Sequence, residues 1–180
     1  MKRVFLLILF LFCATLSACS TEVAEVKVTE EVEIIEDVIQ YSEISEEKLI
    51  SIMGEPAERE EWVNKTSKGN FKMTTLSYNR ENGYYEFNIA NNSVVGLNIY
   101  SNMFWKKEGE NFRYYGTKQD ICNLFNFELS NTAKIVGNTG YAYRIEDADN
   151  KIDDFWILDI DSNSKTFGLV KIKYNSYYFN

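Results

Sequence analysis

Histidine, cysteine and the carboxylates carry much of the side-chain chemistry open to a protein, and this chain is unevenly supplied with them. It holds no histidine, three cysteines, and 27 acids against 19 cations in 180 residues. Without histidine there is no Ser-His-Asp or Cys-His arrangement, and no imidazole to move protons near neutral pH. Cys122 lies beside the apolar residues Ile121 and Leu124 and reads as a small core residue, because a reactive thiol needs a cation or base beside it. Asp159, Asp161 and Asn163 alternate as at the opening of a calcium loop, but Ser164 stands at the glycine position and Val170 at the closing glutamate. A β-turn accounts for the same residues. Asp147, Asp149, Asp153 and Asp154 form a denser group that Lys151 interrupts. Neither set completes a ligand shell, so no metal and no cofactor are expected. Carboxylate pairs for hydrolysis arise by chance among so many acids, and no spacing singles out one acid and one base.

The aromatic residues are the stronger lead: 12 Tyr, 12 Phe and 3 Trp beside a single proline, a composition that favours ordered β structure. Alternation of apolar and polar residues predicts strands over 73–79, 84–89 and 95–99, with the turn signal Asn91-Asn92 before the last. Further strands are predicted at 141–145, 155–160 and 167–174. Strand parity assigns Val170, Ile172 and Tyr174, with Trp156, Leu158 and Ile160, to a helix-covered face. The opposite face then carries Tyr84, Glu86, Asn98, Tyr100, Phe155, Asp159, Lys171 and Lys173. Aromatics mixed with charges on an open sheet suit recognition of a partner. The plainer alternative is a wet sheet face with no partner.

Two helices are expected to cover the sheet. Ser45 is a suitable N-cap, Glu46 and Glu47 occupy the first turn, and Leu49, Ile52 and Met53 form a stripe that Gly54 and Pro56 terminate. Thr117 and Asp120 make a weaker capping box ahead of Ile121, Leu124 and Phe125, the same stripe repeated 72 residues later. The order of helix and strands recurs with it. The expected fold is therefore α+β: two tandem helix-plus-antiparallel-meander repeats, 43–113 and 114–180, with helices packed on one face of a β-sheet. This organisation resembles the beta-lactamase inhibitory protein family. The run from Glu46 to Pro56, with Trp62 after it, also resembles the start of the SmpA/OmlA family of small outer-membrane lipoproteins. Both resemblances imply a fold and carry no catalytic residues over.

The N-terminus has a character of its own. Lys2 and Arg3 precede an apolar run from Val4 to Phe12 that fades to Leu16, the order of an export signal. The run is shorter than the ~20 residues needed to span a bilayer. It ends in Leu16-Ser17-Ala18-Cys19, which resembles the lipobox of bacterial lipoprotein signal peptides. The resemblance implies removal of residues 1–18 and attachment of a diacylglycerol to the Cys19 sulfur. Two acyl chains would then hold the protein on a membrane, where one would be marginal. Residues 19–42 contain seven acids and read as an acidic tether, although Val32, Ile34, Ile35, Val38 and Ile39 could instead add a short strand or helix. Without residues 1–18 the chain keeps 17 cations against 27 acids, a net charge of −10 that repels nucleic acid.

The sequence thus describes a lipid-anchored protein on the extracytoplasmic face of a cell membrane. It reads as a module binding a protein or cell-envelope component through an aromatic sheet face, rather than as an enzyme. The alternatives are a carboxylate- or tyrosine-based enzyme or sensor for cell-wall or small-molecule substrates, or an envelope assembly factor. Replacing Cys19 with Ala is expected to release the protein from the detergent-extracted membrane fraction and block processing. A variant that still sediments with membranes at the processed size would refute the lipobox assignment.

Overall fold

A computed structural model of the chain describes residues 34–101, 112–114 and 116–180. The expected export signal 1–18, the expected lipidation site Cys19 and the leader as far as residue 33 lie outside the described residues. Among the described residues, no helix is long and apolar enough to cross a membrane.

After a 3₁₀ turn at Val38–Tyr41, the chain forms helix α1 (Glu46–Met53). Four antiparallel strands follow in a meander: β1 (Glu58–Thr66), β2 (Gly69–Arg80), β3 (Gly83–Ala90) and β4 (Ser93–Tyr100). Next come β5 (Phe112–Arg113), a 3₁₀ turn at Lys118–Asp120, and the four-residue helix α2 (Ile121–Leu124). Strands β6 (Lys134–Asn138), β7 (Ala142–Asp149), β8 (Ile152–Leu158), β9 (Thr166–Phe167) and β10 (Leu169–Lys173) complete the order, with a last 3₁₀ turn at Ser176–Tyr178.

The expectation of two repeats is corrected by the strand pairing. β4 and β10 pair antiparallel, with Leu97 opposite Ile172 and Asn98 opposite Lys171. This joins eight strands into one sheet, in the order β1-β2-β3-β4-β10-β8-β7-β6. The boundary expected at residue 113 is crossed again by the small β5–β9 ribbon, where Phe112 faces Phe167. The expected pair of matching helices is also absent. α1 has eight residues, while α2 is little more than one turn, ending where Asn126 takes the left-handed conformation at φ 56°. Local alternation identifies strands but says nothing of which strand pairs with which, and the pairing decides the fold.

Side-chain alternation places Leu76, Tyr85, Phe87, Leu97, Ile99, Tyr143, Ile145, Phe155, Ile157, Val170 and Ile172 on one face, all buried in a single core. Leu49 and Met53 of α1, Ile121, Cys122 and Leu124 of α2, and Phe112 and Phe167 of the ribbon cover that face. Ile52, expected in the α1 stripe, is 38% exposed instead. The capping residues act as expected: Ser45 Oγ accepts from the Lys48 amide at 3.2 Å, and Thr117 and Asp120 form a capping box.

Residues 35–41, expected in the acidic tether with a short strand or helix as the alternative, belong to the domain. The Ile35 amide donates to the Leu124 carbonyl at 2.7 Å, and the Tyr174 hydroxyl donates to the Val38 carbonyl at 2.7 Å. Val38 and Tyr41 are fully buried. Val38 is among the apolar residues open to a short helix, and its three-residue spacing from Tyr41 suits one 3₁₀ turn. The Tyr41 hydroxyl donates to Glu36 at 2.9 Å.

These contacts set an alkaline limit on stability. Burial, with the Glu36 carboxylate nearby, raises Tyr41 and Tyr85 well above their ordinary value of 10.0; burial and then Tyr41 do the same to Tyr174. The folded state holds these protons more tightly than the unfolded state. Their contribution is therefore complete below pH ~10 and lost as pH rises above it, by up to about 1.4 kcal/mol per pH unit for each tyrosine. Denaturant midpoints are expected to hold between pH ~8 and ~10 and fall steeply at pH ~11. Full tyrosinate absorbance appearing at pH ~10 with the fold intact would contradict this.

Candidate functional site

Among the described residues, the face of the sheet away from the helices collects polar and aromatic side chains from its central strands. Tyr84 and Glu86 come from β3, Asn98 and Tyr100 from β4, and Lys171 and Lys173 from β10. In register, Tyr84 faces Tyr100, Glu86 faces Asn98, and Asn98 faces Lys171. The Tyr84 and Tyr100 rings lie 6.2 Å apart. Glu86 Oε2 accepts from Asn98 Nδ2 at 3.2 Å and from the Tyr100 hydroxyl at 3.1 Å. Burial, then the Glu86 charge, raises Tyr100 above its ordinary range, so it stays a protonated donor at physiological pH.

Two expected members are not on this face. Phe155 is fully buried in the core, and Asp159 lies exposed beyond the end of β8 with φ 55°. The run Phe155-Trp156-Ile157-Leu158 is apolar at every position, so alternation could not fix its parity. Pairing fixes it: Lys171 faces Trp156 and Ile172 faces Phe155. Trp156 therefore takes the place on the open face assigned to Phe155.

Trp156 brings a network that sequence reasoning missed. Asp154 is buried at 3% exposure and accepts two bonds from Arg144, Nε to Oδ1 at 3.0 Å and Nη2 to Oδ2 at 2.9 Å. The Trp156 indole N–H donates to Asp154 Oδ1 at 2.6 Å, and Lys173 Nζ lies 3.4 Å from Oδ2. The Arg144 guanidinium sits over the Trp156 ring, 4.4 Å from its centre. The arrangement fixes Trp156 and Lys173 before any ligand arrives.

At the β1 end, Trp62 and the chain's last residues frame a basin. Its volume is about 530 Å³, and its lining includes Trp62, Thr75, Glu86, Asn88, Asn98, Lys171 and Phe179. Trp62 and Phe179 both pack against Met73, Ala90 and Val95. Phe179 can reach the sheet because residue 96 is glycine: a Cβ there would come within 2.9 Å of the Phe179 ring and 3.1 Å of the Ile172 carbonyl oxygen. Asn64 Nδ2 anchors the tail by donating to the Tyr178 carbonyl at 2.8 Å. No local sequence signal marks this tail as part of a site, because it joins β1–β4 only through the folded sheet.

The remaining candidates are structural. Cys122 is buried, and burial pushes its thiol up to about 12, which keeps it protonated. Asp161 accepts from the Asn163 and Ser164 amides, as a turn residue does. Asp147 pairs with Lys134 at 3.0 Å, while Asp149 and Asp153 accept backbone amides. Among the described residues, no three acids or cysteines gather as a metal site.

No family model matches the chain. No curated protein matches it either. Solved structures with a partial likeness include a cysteine-rich secretory protein from Staphylococcus aureus subsp. aureus Mu50, 13% identical with a TM-score of 0.42 over 78% of this chain and 48% of that one. Another is an extracellular protein containing a SCP domain from Bacillus anthracis str. Ames, 15% identical with a TM-score of 0.38 over 77% of this chain and 46% of that one. The chain spans about half the length of each. Likeness this loose extends to neither an activity nor a ligand.

The Asp154 network yields a stability test. Arg144→Met leaves a buried carboxylate short of its main partner and is expected to cost about 2–5 kcal/mol. Adding Asp154→Leu removes the stranded charge and should restore part of the loss. Denaturant unfolding of both variants measures this, and a double variant less stable than Arg144→Met would contradict it.

Proposed function

We propose that this protein is a lipid-anchored binding module that works outside the cytoplasm and holds a protein or cell-envelope component on its open sheet face. The export signal and the Leu16–Cys19 motif support the location and the anchor. One observation carries the binding role: Tyr84, Glu86, Asn98, Tyr100, Trp156, Lys171 and Lys173 share one face over adjacent central strands. The main core does not need this face, since Tyr85, Phe87, Leu97, Ile99, Val170 and Ile172 are covered from the other side, and only the small Met73, Ala90 and Val95 cluster is buried beneath Trp62 and Phe179. Several of its side chains are held by hydrogen bonds before binding, which lowers the entropy lost when a partner docks. Glu86 is committed to two donors and Tyr100 keeps its proton, a pairing that suits orientation of a ligand more than proton exchange.

Cross-linking in intact cells, followed by recovery of the protein, tests this reading. Tyr84→Ala and Tyr100→Ala are expected to reduce partner recovery about tenfold, the effect of losing one aromatic anchor. Circular dichroism of each variant confirms that the sheet remains folded. Unchanged recovery with both variants would remove this face as the binding surface.

A further inference from the structure

We infer that the basin between Trp62 and Phe179 is a carbohydrate subsite shaped for one sugar ring bearing a carboxylate. The inference rests on the open face being the binding surface and names the chemistry of what binds there.

The first observation concerns the backbone. The floor of the basin is formed by β2, β3, β4 and β10, interior strands whose N–H and C=O groups are engaged with neighbours on both sides, and one rim by Glu60 and Trp62 of the edge strand β1. An extended peptide could not add itself as a strand over that floor, because strand addition needs a free edge, which at the basin only the rim strand β1 offers among the described residues. Over the floor only side chains are left to recognise the ligand.

Those side chains are oriented by two hydrogen-bond chains. The Trp62 indole N–H donates to Thr75 Oγ1 at 2.9 Å, and the Thr75 hydroxyl donates to Asn88 Oδ1 at 3.0 Å. Asn88 is thereby fixed with its amide N–H groups left to donate. Asn98 is fixed in the opposite sense: its Nδ2 donates to Glu86, which leaves Oδ1 to accept. Asn88 and Asn98 lie on adjacent strands, with Asn98 opposite Glu86 and Asn88 opposite Gly96. A donor beside an acceptor matches neighbouring hydroxyls, each of which donates and accepts.

The walls and Lys171 complete the match, with Glu86 already engaged by Asn98 and Tyr100 and the Glu60 carboxylate on the β1 rim. Trp62 and Phe179 are partly exposed beside the basin, and the electron-rich face of an aromatic ring attracts the C–H face of a sugar. Lys171 is exposed and has no ion pair or side-chain hydrogen bond among the described residues. It is therefore available to a carboxylate through a charge-assisted hydrogen bond. The volume of about 530 Å³ falls within the range of small-molecule sites.

The test is an amide NMR titration of the full protein in detergent micelles, with D-glucuronate, D-glucose, acetate and the tripeptide Gly-Glu-Gly as probes. Glucuronate is expected to shift the Asn88 and Asn98 side-chain amides and the Trp62 indole to saturation in the millimolar range. Glucose should bind at least about threefold more weakly, and acetate should not saturate. Asn88→Ala should weaken glucuronate about tenfold, the loss of about 1.4 kcal/mol. Lys171→Met should abolish the preference over glucose while leaving glucose binding in place. No saturation by either sugar at about 50 mM, or equal shifts with acetate, would overturn the inference. Tighter binding of the tripeptide at these resonances would overturn it while leaving the face as a binding surface. Absence of every shift, with cross-linking insensitive to Tyr84 and Tyr100, would remove both.

Discussion

The pairing of β4 with β10 is the interaction on which the rest of the structure depends. Among the described residues it is the one ladder that joins the first meander to the strands after residue 113, and it sets Leu97, Ile99, Val170 and Ile172 side by side over one core. Because side chains alternate, the same pairing fixes what lies on the other face. A slip of one residue would bring Lys171 and Lys173 into the core and expose Val170 and Ile172. The burial of those apolar residues therefore determines, at no separate cost, that Asn98 meets Lys171 above the seam.

The anchoring of the segments before α1 and after β10 follows the same logic. Residues 35–41 close one edge of the core through Val38 and Tyr41, tied to β10 by the Tyr174 hydroxyl. The last residues cross to the opposite face, where Phe179 rests over Gly96. The segment before α1 thus completes the apolar side and the segment after β10 shapes the polar side.

How much of this could be read from the sequence depended on the range of the signal. Helix α1 and its Gly54 stop were legible because capping chemistry is local. The strands β3, β4 and β10 were legible from alternation, and with them Tyr84, Glu86, Asn98, Tyr100, Lys171 and Lys173. Phe155 was misassigned because four consecutive apolar residues carry no parity. Asp154 and Arg144 were not recognised as a pair because ten residues and a hairpin separate them, and the acids around Asp154 masked which one is buried. The two-repeat architecture failed for a related reason: similar local patterns in each half said nothing about the ladder between the halves.

One continuous sheet, locked at the β4–β10 seam, presents one preorganised face. Native-state hydrogen exchange tests this most directly. The amides in the ladders of β3, β4, β8 and β10 are predicted to exchange with a common free energy equal to that of global unfolding. Two distinct free energies, one for β1–β4 and one for β6–β10, would show the halves opening independently and would contradict it.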